Sequence, residues 1–204
     1  YRSMYGNGSN TGSYNTAMGY ESLYGSDSGA DYNTAIGYRT GYQGNGDYNS
    51  FVGAYAGYTN TGNNNTGVGY YALYNNNSGS ENSAFGYEAL YNVRTTSGNS
   101  AFGYKAARVT LGANNTAMGY EALVSNGDGA NNTAIGYQAG YSNVTGNSNV
   151  FIGYKAGYSE TGSNKLYIGN SATANLITGD FSTGALSLGQ TSGTVSVLNN
   201  LDVD

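Results

Sequence analysis

Cysteine, histidine, proline and tryptophan are all absent from the 204 residues, and charged residues make up only 9%. Each absence removes a class of chemistry. Without cysteine there is no disulfide, no thiolate zinc site and no cysteine nucleophile. Without histidine the commonest general base and the commonest metal ligand at neutral pH are gone. A serine nucleophile would have to be activated by one of only seven lysines and arginines. The net charge of −5 argues against nucleic acid, whose phosphates call for clustered positive charge. No apolar run approaches the roughly eighteen residues that span a bilayer, so no membrane insertion is expected of this segment. The chain is read as non-enzymatic, without cofactor or metal.

Glycine and tyrosine, 34 and 23 of them, fill the space left by these absences, among many Asn, Ser and Thr. Leu, Ile, Val and Phe are scarce enough to suggest disorder if net charge were high, but the charge is low and the tyrosines supply apolar surface. Their arrangement is periodic. One phrase recurs: Asn, Thr or Ser, a small residue, an apolar residue, Gly, Tyr, any residue, Ala, Gly or Leu, Tyr. It reads NTAMGYESLY from Asn15, NTAIGYRTGY from Asn33, NSFVGAYAGY from Asn49 and NTGVGYYALY from Asn65. Further copies begin at Asn82, Asn99, Asn115, Asn132 and Asn149, and KLYIGNSATA from Lys165 is a decayed one. Tyr1 to Tyr5 match the second half of the phrase, so the numbering begins within a repeat, as in a piece of a longer protein. No signal peptide is visible.

The glycines set the register. Gly19, Gly37, Gly53, Gly69, Gly86, Gly103, Gly119, Gly136, Gly153 and Gly169 are sixteen to eighteen residues apart. A second glycine column (Gly12, Gly46, Gly62, Gly79, Gly112, Gly129, Gly146) lies three residues before the Asn. Length varies between the second Tyr and that Gly, which marks turns. Thr, Ile, Val, Phe and Tyr favour strands, whereas the recurrent Gly, Asn and Thr disfavour a helix. Alternation in NTAIGY sends Thr34, Ile36 and Tyr38 one way, and Ala35 and Gly37 the other. A coil is then two short strands and two turns, stacked on the next at about 4.8 Å. The expected fold is all-β: a β-solenoid, or β-roll, of about ten coils over residues 1–169, followed by a β-rich collar or stalk connector over 170–204. Connector strands are expected in LITGDF, ALSLG and TVSVLNNLDV.

Stacking puts like residues above one another. Asn33, Gly37, Asn65, Gly69, Asn115, Gly119, Asn132 and Gly136 are assigned to structural ladders, the Asn side chains joined by hydrogen bonds and the Tyr rings stacked. The column two after the Gly, running from Glu21 and Arg39 to Lys155, is expected to be exposed, with Glu88, Lys105 and Glu121 pairing across coils. Each coil is expected to bury one Ile or Met, one Leu and parts of two tyrosines. That is little against the ordering entropy of the coil, so several chains should associate through the Ala/Gly or Tyr columns, as a symmetric trimer.

The phrases NTAIGYQAG and NTAMGYEAL resemble the head repeats of trimeric autotransporter adhesins. LYIGNSATANLITGDFSTGALSLG resembles segments ahead of endosialidase-type intramolecular chaperones in phage tail fibres and bacterial trimeric fibre proteins. The resemblance implies a homotrimer of left-handed β-rolls on an extracellular, cell-surface or virion fibre, with attachment to surface glycans or the envelope of a host or prey cell. The repeat here is longer and richer in tyrosine than in those heads, so their ligand preference does not carry over.

Tyrosines outside the regular columns are the candidate ligand contacts. Tyr55 and Tyr71 occupy the charge column in adjacent coils, as an aromatic step for sugar rings, and Tyr14, Tyr32 and Tyr48 precede the Asn in three coils and extend the patch. The acidic turns at Asp27, Asp31, Asp47 and Asp128 offer too few carboxylates for calcium and read as solvated turns. Asn-x-Ser/Thr triplets at Asn7, Asn64, Asn114, Asn131 and Asn143 follow from the repeat itself. A passive spacer or self-assembling filament is the alternative function. A polysaccharide-degrading tailspike is a third, with Glu160 and Asp180 as its carboxylates.

Overall fold

A computed structural model describes residues 12–25 and 29–189. Tyr1 to Tyr5, Asn7, Asp27 and the TVSVLNNLDV segment therefore lie outside the described residues. Among the described residues the chain is all-β, with no helix. It forms a β-solenoid of nine turns joining ten parallel strands, each made by the start of the repeat phrase. These are β1 (Thr16–Met18), β2 (Thr34–Ile36), β3 (Ser50–Val52), β5 (Thr66–Val68), β7 (Ser83–Phe85), β8 (Ser100–Phe102), β9 (Thr116–Met118), β10 (Thr133–Ile135), β11 (Val150–Ile152) and β12 (Lys165–Gly169). Register is strict: Thr16 lies over Thr34, Ala17 over Ala35, Met18 over Ile36, and so along the stack.

The second strand expected in each coil is nearly absent. Among the described residues only β4 (Thr59–Asn60) and β6 (Asn75–Asn76) pair on the opposite wall, continued by single bridges from Asn75 to Asn92 and from Asn92 to Val109. Turns make the rest of that wall.

The direction of the strand side chains corrects the expected core. The Ile and Met column faces outward, with Met18 63% exposed, and Phe102 and Ile135 are exposed too. The interior is two columns of alanine, fully buried at Ala84, Ala101, Ala117 and Ala134 on the strand, and at Ala72, Ala89, Ala106 and Ala122 on the turn side. Leu73, Leu90 and Leu123 join them, also at 0% exposure. The coil is so thin that two opposed walls leave room for a methyl group but not for a branched side chain from each. The Ala columns lie inside each coil, so they offer no surface to another chain.

Where the interior does take a large residue, the sequence makes room with glycine. Phe51 and Phe151 stand in the strand Ala column. A Cβ on Gly57 would meet the Phe51 ring at 2.5 Å, and one on Gly140 would meet Phe151 at 2.5 Å. Those glycines occupy the position that Leu73, Leu90 and Leu123 hold in other coils. Volume is conserved between neighbours, as close packing requires.

The glycine column after the strand is a second consequence of stacking. At Gly53, Gly103 and Gly119 a Cβ would lie 2.5 Å from the carbonyl oxygen of the glycine one coil on, and φ lies between +127° and +137°. Only glycine serves there.

At β12 the sheet changes character. β12 pairs with β11 in parallel on one edge and with β13 (Asn175–Asp180) in antiparallel on the other, and β13 continues to β14 (Ala185–Leu188). The sheet therefore passes from solenoid to meander without a break. Lys165 and Asp180 are ion-paired across the junction at 2.6 Å.

Candidate functional site

The asparagine that opens each phrase clamps one coil to the next. The Oδ1 of Asn65 accepts the backbone N–H of Asn82 at 2.9 Å, and its amide donates to the carbonyl of Gly79 at 2.9 Å. The same pair of bonds joins Asn115 to Asn132 and Gly129, and Asn132 to Asn149 and Gly146. Asn33 likewise accepts the N–H of Asn49 at 2.8 Å. The carbonyls used belong to the second glycine column. Glycine sits there because a Cβ would strike the backbone of the next coil, at 2.6 Å between Gly129 and Gly146.

A further asparagine ladder, which sequence reading passed over, lies seven residues after the glycine. Asn60, Asn76, Asn126 and Asn143 are buried, and each amide donates to a glycine carbonyl two or three residues on. Asn76 also donates to Asn60, and Asn143 to Asn126. Their spacing in the sequence was the available signal. In the middle of the stack this column carries Val93 and Thr110 instead. The Oδ1 of Asn76 is consequently buried without a donor.

Outside this scaffold run two tyrosine rails. The first position after the glycine stacks Tyr70, Tyr87, Tyr104, Tyr120, Tyr137 and Tyr154 at centroid distances of 4.8–5.6 Å and interplanar angles of 10–15°. The fifth position stacks Tyr24, Tyr42, Tyr58, Tyr74 and Tyr91 at 4.9–5.1 Å. Arg108 then takes the place of a tyrosine, its guanidinium 4.9 Å from the Tyr91 ring. Stacked faces are covered, so the rails present ring edges and hydroxyls to solvent.

The column between the rails holds the expected charges and the first two candidate tyrosines. It is not exposed: its side chains are half-buried, and Glu21 is only 6% exposed. Its backbone is left-handed, with φ of +50° to +59° at Glu21, Arg39, Tyr55, Tyr71, Glu88, Lys105, Glu121, Gln138 and Lys155, which tilts each side chain across the gap. Arg39 pairs with Glu21 at 2.8 Å and lies 5.4 and 5.3 Å from the Tyr38 and Tyr42 rings, one on each rail. Glu88 pairs with Arg108 rather than with Lys105, and Glu121 accepts a hydrogen bond from Gln138. Lys105 lies over Tyr104 instead.

Tyr55 and Tyr71 do come together, with centroids 5.0 Å apart and planes 27° apart. They do not form an open step. Tyr55 packs on Tyr38, Tyr58, Tyr70 and Tyr74, while Tyr71 packs on Tyr70, Tyr74 and Tyr91, so the pair bridges the rails. A hydrogen bond to Tyr70, with burial second, holds the Tyr71 hydroxyl well above the ordinary phenol range. Burial, with Tyr38 close by, also raises the Tyr55 hydroxyl.

Tyr14, Tyr32 and Tyr48 form a separate ladder before the strand, stacked at 4.7 and 5.0 Å. No ring contact among the described residues joins them to Tyr55 or Tyr71. All three are exposed, Tyr14 at 76%, and all have φ near +60°. Later coils put Asn64, Asn114 and Asn131 at this left-handed position. Asparagine tolerates it better than tyrosine does.

The carboxylates considered for hydrolysis are both engaged. Tyr167 donates to Glu160 at 2.6 Å, and Asp180 is held by Lys165 and Ser182 well below the usual carboxylate range. Burial, then the Glu160 contact, pushes the Tyr167 hydroxyl up to about 12. No group of three metal-ligating side chains occurs among the described residues. No protein-family model, curated protein or solved structure matches the chain.

Proposed function

We propose that the chain is one strand of a homotrimeric extracellular fibre segment for surface attachment. The observation that carries this reading is the outward apolar column. Met18, Val52, Phe85, Phe102, Met118 and Ile135 are exposed along one side of the stack, in register and uninterrupted by charge. Apolar surface of that extent marks an interaction site. The partner is a second and third copy of the same chain, because a column repeating at the coil spacing fits another of identical period and shares its register. A closed three-fold arrangement with its axis along the stack covers all three columns at once. The phrases shared with trimeric adhesin heads support the same assembly, and those shared with tail-fibre proteins support a place on a cell surface or virion.

In this reading the attachment surface is the Tyr14, Tyr32 and Tyr48 ladder, which takes surface glycans or cell-envelope polysaccharide along its ring edges and hydroxyls. Light scattering coupled to size exclusion is the test, expected to give three times 21.1 kDa with an elongated profile. The double variant Phe102→Asp, Met118→Asp is expected to give a monomer with unchanged β circular dichroism. A parent monomer would overturn the trimer, and a large polydisperse species would move the weight to a self-assembling filament. Loss of polysaccharide binding in the triple variant Tyr14→Ala, Tyr32→Ala, Tyr48→Ala, with the trimer intact, separates attachment from a passive spacer.

A further inference from the structure

The first tyrosine rail has a gap in its sequence but none in space. At the coil of Gly53 the rail position is Ala54, and the tyrosine stands one residue later. Tyr55 reaches across, 5.3 Å from Tyr38 and 6.2 Å from Tyr70. Phenol rings therefore run unbroken from Tyr20 to Tyr154, with no step longer than 6.2 Å. Tyr55 and Tyr71 also connect this rail to Tyr58 and Tyr74 on the second.

We propose that the rails carry one-electron oxidation along the solenoid, and that it ends as a covalent Tyr38–Tyr55 cross-link between successive coils. Phenols are the side chains most readily oxidised by one electron here, ahead of the three methionines, since the chain has no cysteine, tryptophan or histidine. Along the regular rail each ring lies nearly parallel to the next. Tyr38 and Tyr55 instead cross at 70° with centroids 5.3 Å apart, the shortest crossed contact between successive coils among the described rings, so the edge of one ring meets the other and the departing protons pass to solvent. Each phenol loses one electron and one proton, and the two phenoxyl rings join through a bond between their ortho carbons. Each ortho hydrogen then returns to its oxygen, restoring two phenols. The net loss is two electrons and two protons per cross-link, taken by a one-electron oxidant twice over, such as a peroxidase-class centre reducing peroxide to water. In a chain without cysteine such a bond would staple two coils as a disulfide does, by limiting the unfolded state.

The test is brief illumination of the whole chain with tris(bipyridyl)ruthenium(II) and persulfate, where each persulfate takes two electrons to become two sulfates. Cross-links are read by dityrosine fluorescence and mapped by peptide mass. The expected product is an intrachain link joining the peptides of Tyr38 and Tyr55, two hydrogens lighter than the parent. Tyr55→Phe, which keeps the ring and removes the phenol, should reduce that intrachain product to background with unchanged circular dichroism. Tyr14→Phe, at the most exposed of the described rings, should leave it unchanged. Cross-links distributed according to exposure, centred on Tyr14 and Tyr48 or formed only between molecules, would overturn the proposal, as would a Tyr55→Phe yield equal to the parent's. The outcome is independent of oligomeric state, because the mapped bond lies within one chain.

Discussion

The solenoid and the meander that follows it belong to one sheet, yet they bury their side chains very differently. From β2 to β11 the middle residue of every three-residue strand is fully or almost fully buried. In β14 every residue is exposed, Leu186 at 61%, and Leu176 on β13 is exposed as well. Hydrogen-bonded pairing continues through both regions, so pairing alone does not make a core. What differs is the opposite wall. In the solenoid the chain turns back after each strand and places a second alanine column against the first. In the meander it reverses within the plane of the sheet, and none of the described residues is laid beneath.

The largest test of that difference compares two glycines. Gly119→Ala puts a Cβ 2.5 Å from the next coil's carbonyl and strains a φ of +135°, and is expected to cost more than about 4 kcal/mol in chemical denaturation. Gly184→Ala in the meander meets open space at φ +73° and is expected to cost about 1 kcal/mol. Equal effects would mean that the coils do not stack as closely as described. Next comes Asn115→Ala, which orphans the buried N–H of Asn132 and leaves the Gly129 carbonyl with Asn126 as its remaining side-chain donor; a loss of about 2–3 kcal/mol is expected by the same measurement. The smallest effect tests the interruption of the inner ladder. Val93→Asn supplies the donor that Asn76 Oδ1 lacks, so stability is expected to stay within about 1 kcal/mol of the parent, whereas Leu90→Asn, with no ladder to join, should lower it by several. Similar losses at both positions would show that the ladder gives no support at Val93.

Much of this was legible in the sequence, and the reason is physical. Parallel in-register stacking places each residue on its counterpart one coil away, so any position with a strict requirement appears as a column. Gly37, Gly69, Gly119 and Gly136 stand out because no Cβ fits between coils, and Asn65 and Asn115 because only a side chain with both donor and acceptor spans from one coil to the next. The inner column of Asn60, Asn76, Asn126 and Asn143 was harder to see, because Val93 and Thr110 interrupt it in the middle of the run. The candidate site was legible only as a set of residues. Tyr55 and Tyr71 stood out as departures from the repeat, but the left-handed backbone that turns them inward between the rails is not written in residue type.

The sequence by itself determined the period, the register and the residues that must stack, because these follow from what one coil demands of the next. Tertiary structure decided which side of the strand is the inside. Alternation separates Ala35 from Ile36 but is silent on their direction, and hydrophobicity alone would have turned the isoleucine inward. The narrow gap between opposed walls reverses that choice: alanine fills the interior, and the larger apolar side chains form the outer face along which the chain meets its partners in the proposed fibre.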